Sequence, residues 1–234
     1  MLTLLCSRRF SCGLAVAILL FLGAGIAPAG IISFTNETVD LSGQGFGSVP
    51  PVLTLQTHGS QETSEWGSVG WNGTADVYSG PSSQVETGKS QTISVADLLS
   101  LGLTKDNFGL VFNINQPGGM DVVVHAFSVD FYLADGTLSS TAVYTPPSGG
   151  LSLSPTGQQG QGGAGYLFRV DLSSSEFASL TADPNNRLGM TVLAGDAIGN
   201  AAAGAESFTM APVVPEPATL VLLSLGLLAL RRRR

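Results

Sequence analysis

Few residues in this 234-residue chain are of a kind that does chemistry. Between Gly30 and Val214 stand two histidines, His58 and His125, and sixteen carboxylates, with no cysteine. A hydrolase needs an activated nucleophile, a tuned acid–base pair or a metal-bound water. There is no Gly-x-Ser-x-Gly elbow and no His-Glu-x-x-His motif, the marks of common serine and zinc hydrolases. His125 falls in register with Val123 and Phe127, which makes it a core or rim residue, whereas His58 precedes Gly59-Ser60 and reads as a loop residue. A carboxylate pair alone serves glycoside hydrolysis, but the sequence does not say which acids approach each other. The reading is a body with no catalytic residue and no cofactor. Calcium is the metal its oxygen-rich loops would take, at Asp183-Pro-Asn-Asn186 or at Asp196 with Asn200, although no Asp-x-Asp-x-Asp-Gly loop is present. Trp66 and Trp71 are the candidate ligand contacts. An exposed indole offers an apolar platform to a sugar ring; a buried one fills a core. Their odd spacing puts them on opposite faces of a regular strand, so at most one belongs to the core.

Strands must position these side chains. The body, residues 30–211, is rich in Gly, Ser, Thr and Val, with short apolar runs broken by turn residues. Its length suits one domain with a sizeable core. The expected fold is mainly β: a single β-sandwich, jelly-roll-like, with one or two short helices. Asn72-Gly73 and Asp135-Gly136 predict two-residue hairpin turns, because both central positions of a type I′ turn need positive φ. Asp121 to Ala134 alternates throughout and is long for one strand, which predicts a bend near His125 to Ser128. Ser207 to Met210 is a further strand. Ser94 opens one short helix that stops at Gly102, and Ser173 with Glu176 forms a capping-box pattern before a second. Residues 157–165 hold five glycines and read as a loop.

Charge is placed unevenly. The stretch from Gly30 to Val214 has four basic residues (Lys89, Lys105, Arg169, Arg187) against the sixteen acids, a net charge of −12. Such a surface repels phosphate backbones, which excludes nucleic acid as a partner. Residues 1–29 differ: Arg8-Arg9, an apolar run Leu14 to Leu22, then Ala27-Pro28-Ala29. This order is that of a secretory signal peptide cut near Ala29, and its apolar run is short for a membrane span. Phe10-Ser11-Cys12 departs from the twin-arginine pattern, which favours Sec-type export. Cys6 and Cys12, the only cysteines, leave with this segment, so the mature chain has neither disulfide nor thiol.

The last segment, residues 212–234, has three parts. Pro215-Glu216-Pro217 is stiff and extended, since each proline fixes its own φ and restricts the residue before it. Ala218 to Leu230 is uncharged, about 20 Å long as a helix. That is short of a hydrocarbon core of about 30 Å, a gap that snorkelling arginines and local thinning close. Arg231, Arg232, Arg233 and Arg234 act as a stop-transfer cluster and stay cytoplasmic. A transmembrane sorting helix is expected here.

With its motif Val214-Pro-Glu-Pro-Ala-Thr219, its apolar helix and its arginine cluster, the tail resembles the PEP-CTERM sorting signal. The same tail type is also called an ice-binding-protein C-terminal domain, a label that says nothing of ice in the body. The resemblance implies an exosortase, a membrane-embedded cysteine transpeptidase, that processes the chain near Pro215-Glu216-Pro217. It further implies transient anchoring in the inner membrane, then delivery to the cell surface or extracellular matrix, where exopolysaccharide is a candidate partner. Many exosortase substrates carry small β-sandwich bodies, an analogy of fold that supports no activity. A non-enzymatic surface or matrix protein is the reading. The alternatives are a carbohydrate- or calcium-binding adhesion module and a secreted hydrolase using a carboxylate pair.

Overall fold

The structure, a computed structural model, describes residues 28–40, 51–57, 63–81, 84–115, 121–155, 164–201 and 204–213. The chain runs through strands β1 (Pro28–Asp40), β2 (Leu53–Gln56), β3 (Ser64–Glu65), β4 (Gly67–Trp71), β5 (Asp76–Ser79) and β6 (Ile93–Ser94), then helix α1 (Val95–Ser100). Next come β7 (Phe108–Ile114), β8 (Val122–Val124), β9 (Phe127–Tyr132), β10 (Leu138–Tyr144), β11 (Leu151–Leu153) and β12 (Ala164–Leu172). Helix α2 (Ser174–Leu180) precedes β13 (Arg187–Val192), β14 (Ile198–Gly199) and β15 (Ala205–Pro212). The body is mainly β, as its alternation predicts.

The strands divide unequally. Eleven form one sheet in the order β2-β15-β7-β12-β1-β10-β9-β13-β4-β5, with β6 also on β13, and four form a small sheet, β11-β8-β14-β3. The large sheet curls. Phe127 of β9 meets Phe208 of β15 with ring centroids 5.2 Å apart, although five steps of the sheet separate the two strands. Residues 84–91 draw the sheet's edges together. On the β2 side, Gln56 N–H donates to Gln84 O, Glu86 N–H to Thr54 O and Gln91 N–H to Val52 O; on the β5 side, Tyr78 Oη donates to Ser90 O. The expected sandwich of two separate sheets therefore gives way to one curled sheet whose halves face each other. Alternation marks which residues point inward but not which strands pair, and here the pairings are mostly distant in sequence.

Strand β1 shows this well. It lies inside the sheet, parallel to β10 and antiparallel to β12. Gly30 to Ile32 pair on both sides, whereas Pro28 pairs with Thr141 alone, so cleavage after Ala29 would leave the two-sided ladder intact. Gly30 suits the crowding, because a Cβ there would come within 2.7 Å of Asp171 O and of Leu172 Cδ2. A bulge between Phe34 and Thr38 is taken up by Asn36 at φ 62°, a left-handed conformation that asparagine tolerates.

The core is aromatic, with Phe108, Phe112, Phe168 and Phe208 fully buried. Rings of Phe127, Tyr144 and Phe168 pack within about 5 Å of one another, in the offset and edge-on arrangements that ring quadrupoles favour. The expected bend in Asp121–Ala134 is a full break. Val122 and Val124 are buried on β8, Phe127, Val129 and Phe131 on β9, and the parity changes across His125-Ala126, which sends the halves into different sheets. Both helices start on the predicted serines: Ser94 Oγ accepts from Asp97 N–H, and Ser173 with Glu176 closes a reciprocal capping box.

The two hairpins form, but with longer loops than predicted. Trp71 pairs with Asp76 across a loop in which Asn72 Oδ1 accepts from Thr74 N–H and Ala75 N–H. Leu138 pairs with Tyr132 across a loop in which Asp135 Oδ1 accepts from Thr137 N–H. These side-chain bonds hold wider turns than a type I′ pair needs. The loop tips then touch: a Cβ on Gly136 would sit 2.3 Å from Asn72 C, and one on Gly73 2.3 Å from Asp135 O. Both glycines also have positive φ, so each is required twice over. The predicted glycine loop lies, apart from Ala164-Gly165 on β12, outside the described residues, as does the signal segment before Pro28.

Candidate functional site

The most unusual chemistry in the body sits where the two sheets meet. Strand β15 pairs with β2, placing Glu206 opposite Leu55. Strand β3, of the small sheet, pairs with β14 and places Glu65 opposite Ile198. Glu65 and Glu206 are both 0 % exposed. Thr57, just past β2, donates its N–H to Glu65 Oε1 at 2.7 Å. Gln84 ties the same corner, donating from Nε2 to Ser64 O and accepting from Trp66 N–H, each at 3.1 Å.

Burial raises the affinity of Glu65 for its proton, the neighbouring Glu206 charge adds to it, and a hydrogen bond to the Glu206 side chain adds again, against the smaller opposing pull of Thr57 N–H. Together these push Glu65 up to about 10. At neutral pH it is a carboxylic acid. Such a pair can hold and exchange a proton; with neither carboxyl open to solvent, it presents no oxygen to a substrate.

A second feature is the corner beside the touching hairpin tips. Trp71 Nε1 donates to Ala134 O at 3.0 Å, and the Arg187 guanidinium lies over its ring, 4.4 Å from the centroid. Arg187 is fixed in turn by donating to Thr92 Oγ1 at 2.6 Å and to Thr92 O at 2.9 Å, and Thr92 Oγ1 donates to Asp76. Nearby, a cleft of about 330 Å³ opens between the β9–β10 hairpin and α2, lined by Tyr132, Ser139, Ser140, Ser175, Glu176 and Ser179. Its Glu176 already accepts from Ser173 N–H in the capping box.

The residues singled out from sequence are not brought together. Trp66 is half-buried and packs against the main core; Trp71 is half-buried beneath Arg187. His125 is half-buried at the rim, where the imidazole lies against Gly150 and Gly199. His58 lies outside the described residues. Of the candidate calcium ligands, Asp183 Oδ1 accepts from Asn185 N–H, and Asn186 turns inward, donating to Leu180 O and accepting from Ala134 N–H. Among the described residues no three or more His, Cys, Asp or Glu side chains gather as for a metal.

Sequence reading missed the acid pair, although half of its signal was present. Glu206 shares strand parity with Phe208 and Met210, so extending that strand by one residue turns it inward. Glu65 gives no such sign, since a two-residue strand has no period.

At its far end β15 runs into Val213, which donates its N–H to Asn107 O at 2.7 Å and packs with Val111 and Leu167. Pro215, Glu216, Pro217 and Arg231 to Arg234 lie outside the described residues, and among those described no helix is long and apolar enough to cross a membrane. Residues 213–234 match the family model of the PEP-CTERM protein-sorting motif. No curated protein and no solved structure matches the chain.

Proposed function

We propose that this chain is a surface or extracellular-matrix protein whose body works without catalysis and reaches its place through an exosortase. The sorting motif addresses the chain for export and for exosortase recognition, and it is the observation that carries the reading. The finer steps follow from the chemistry of the tail. Ala218 to Leu230 anchors the chain in the inner membrane while Arg231 to Arg234 hold its end in the cytoplasm, and processing occurs near Pro215-Glu216-Pro217. The body then stays at the surface or in the matrix, with exopolysaccharide as a partner. Support for a non-catalytic body comes from its chemistry: the acid pair is sealed, and the two tryptophans are occupied in packing and stacking.

Replacing Pro215, Glu216 and Pro217 together by alanine tests the sorting step. Export should proceed and the protein should accumulate in the inner membrane, read by fractionation and surface labelling. Surface delivery at the wild-type level would overturn the exosortase reading. A broad esterase, protease and glycosidase screen of the purified protein should be blank. A carbohydrate-binding body is the second reading, favoured by the hydroxyl-lined cleft beside Tyr132; a glycan array separates the two.

A further inference from the structure

Both ends of the body emerge at the same end of the large sheet. Ser33, Arg169, Gly109 and Ala211 lie in one row across β1, β12, β7 and β15, each paired with the next. From that row β1 leads back two residues to Ile31 and β15 leads on two residues to Val213. Three antiparallel steps separate the two strands, so both excursions point the same way. Ile31 and Val213 are therefore three strand spacings apart, about 14 Å. Ala29, the expected cleavage position of the signal segment, lies two residues before Ile31, and Pro215 of the sorting motif lies two residues after Val213.

The cleft opens at that end as well. Strand β10 is parallel to β1 and antiparallel to β9, so the β9–β10 loop lies at the same end as Gly30. Helix α2 leaves β12 just after Leu172, which pairs with Gly30. The cleft between this hairpin and α2, with Ser139, Ser140 and Ser179 in its lining, thus sits at the start of β1. The opposite end belongs to other elements. Strand β8 of the small sheet leads into the far end of β9, and residues 194–196 follow the far end of β13.

Chain length fixes how near this end comes to a membrane. Ala218 begins the apolar segment, and only Val214 to Pro217 separate it from Val213, which is held to Asn107. Four residues reach about 14 Å at full extension. The headgroup layer alone takes up about 5–8 Å of that. We propose that the anchored chain stands on the bilayer by this end of its sheet, so that the cleft faces the headgroups and opens outwards only once the tail is cut. This rests on the anchoring already proposed for the tail. Attraction does not hold the body there: Asp97, Asp106, Asp135, Glu176 and Asp183 outnumber Lys105 and Arg187 among the residues capping this end, and anionic headgroups repel them. The tether supplies the contact, and its removal ends it.

The test uses the full chain in cells that have no exosortase, with Cys6→Ser and Cys12→Ser and one new thiol, either Ser179→Cys in the cleft or Ala194→Cys at the far end. Both positions are exposed. A bulky, membrane-impermeant maleimide is added to spheroplasts. Ser179→Cys should react several-fold more slowly than Ala194→Cys, and the difference should vanish in a mild non-ionic detergent. Inserting about thirty Gly and Ser residues after Val214, a linker spanning about 30 Å on average, should also bring the two rates together. Equal rates in a chain that sediments with the membranes would overturn this orientation and leave the anchoring intact. A chain that stays in the soluble fraction would overturn both. Protection that survives the detergent or the linker would belong to the body itself, and the proposal would fall.

Discussion

Asp130 and Glu65 are both acids held inside β structure, and the protein accommodates them in opposite ways. Asp130, on β9, is 6 % exposed and is surrounded by hydroxyls. Ser128 and Thr141 donate to its Oδ1 at 3.1 Å each, and Thr191 donates to Oδ2 at 2.6 Å. These come from β9 itself and from its neighbours β10 and β13, so the sheet register delivers the donors: Thr141 lies directly opposite Asp130, and Thr191 two residues from Gly189, which does. Glu65, at 0 % exposed, has one backbone donor and faces another acid. A regular ladder can surround a carboxylate with hydroxyls because alternate residues on adjacent strands share a face. A two-residue strand meeting a different sheet has no such row to draw on, and burial beside a second acid holds the Glu65 carboxyl well above the usual carboxylate range.

The contrast can be broken in stages. The harshest stage is alkaline pH: from pH 5 to pH 9 the wild type should lose up to about 1.4 kcal/mol per unit, most of it through the Glu65–Glu206 pair. Chemical denaturation across that range measures it, and a flat profile would make the two acids alike. Thr191→Val comes next. It removes the only hydroxyl that donates to Asp130 Oδ2 among the described residues, at nearly constant volume, and should cost about 1–3 kcal/mol, with the pH slope unchanged. Ser128→Ala takes one of two donors from Oδ1 and should cost about 1 kcal/mol or less. The smallest effect belongs to the double replacement Glu65→Gln with Glu206→Gln. Two amides can bond to each other without a proton, so at pH 5 the change should stay within about 1 kcal/mol of wild type, while the slope disappears. A large loss at pH 5 would mean that the carboxyl shape, and not its proton, is what the joint needs.

Much of the scaffold was legible because it is written locally. The Ser173–Glu176 capping box and the Ser94 cap depend on residues three apart and were read correctly. The break at His125-Ala126 was foreshadowed by strand length alone. What escaped depends on distant partners. Nothing in Gly30-Ile-Ile-Ser33 says that it will lie between residues 141–144 and residues 169–172, and without that pairing the curled sheet cannot be told from a sandwich. The hairpin loops widened because Asn72 and Asp135 bond the loop backbone, a choice the dipeptides alone do not reveal. The acid pair needed both kinds of knowledge: parity for Glu206, and for Glu65 the meeting of two sheets.

The way β15 joins the sorting tail has a mechanical consequence. This strand is held on both flanks, by β2 over Ala205 to Phe208 and by β7 over Ser207 to Pro212, and Val213 is still tied to Asn107. Pro215 follows only two residues later. Tension applied at the tail therefore runs along the strand axis, while the ladder hydrogen bonds stand across it. They are strained together in shear and cannot be peeled one after another. Phe208 and Met210, on the same strand, are packed into the core and would have to leave it at the same moment. A machine that grips the tail would thus pull against the whole sheet before it could draw the body out of its fold.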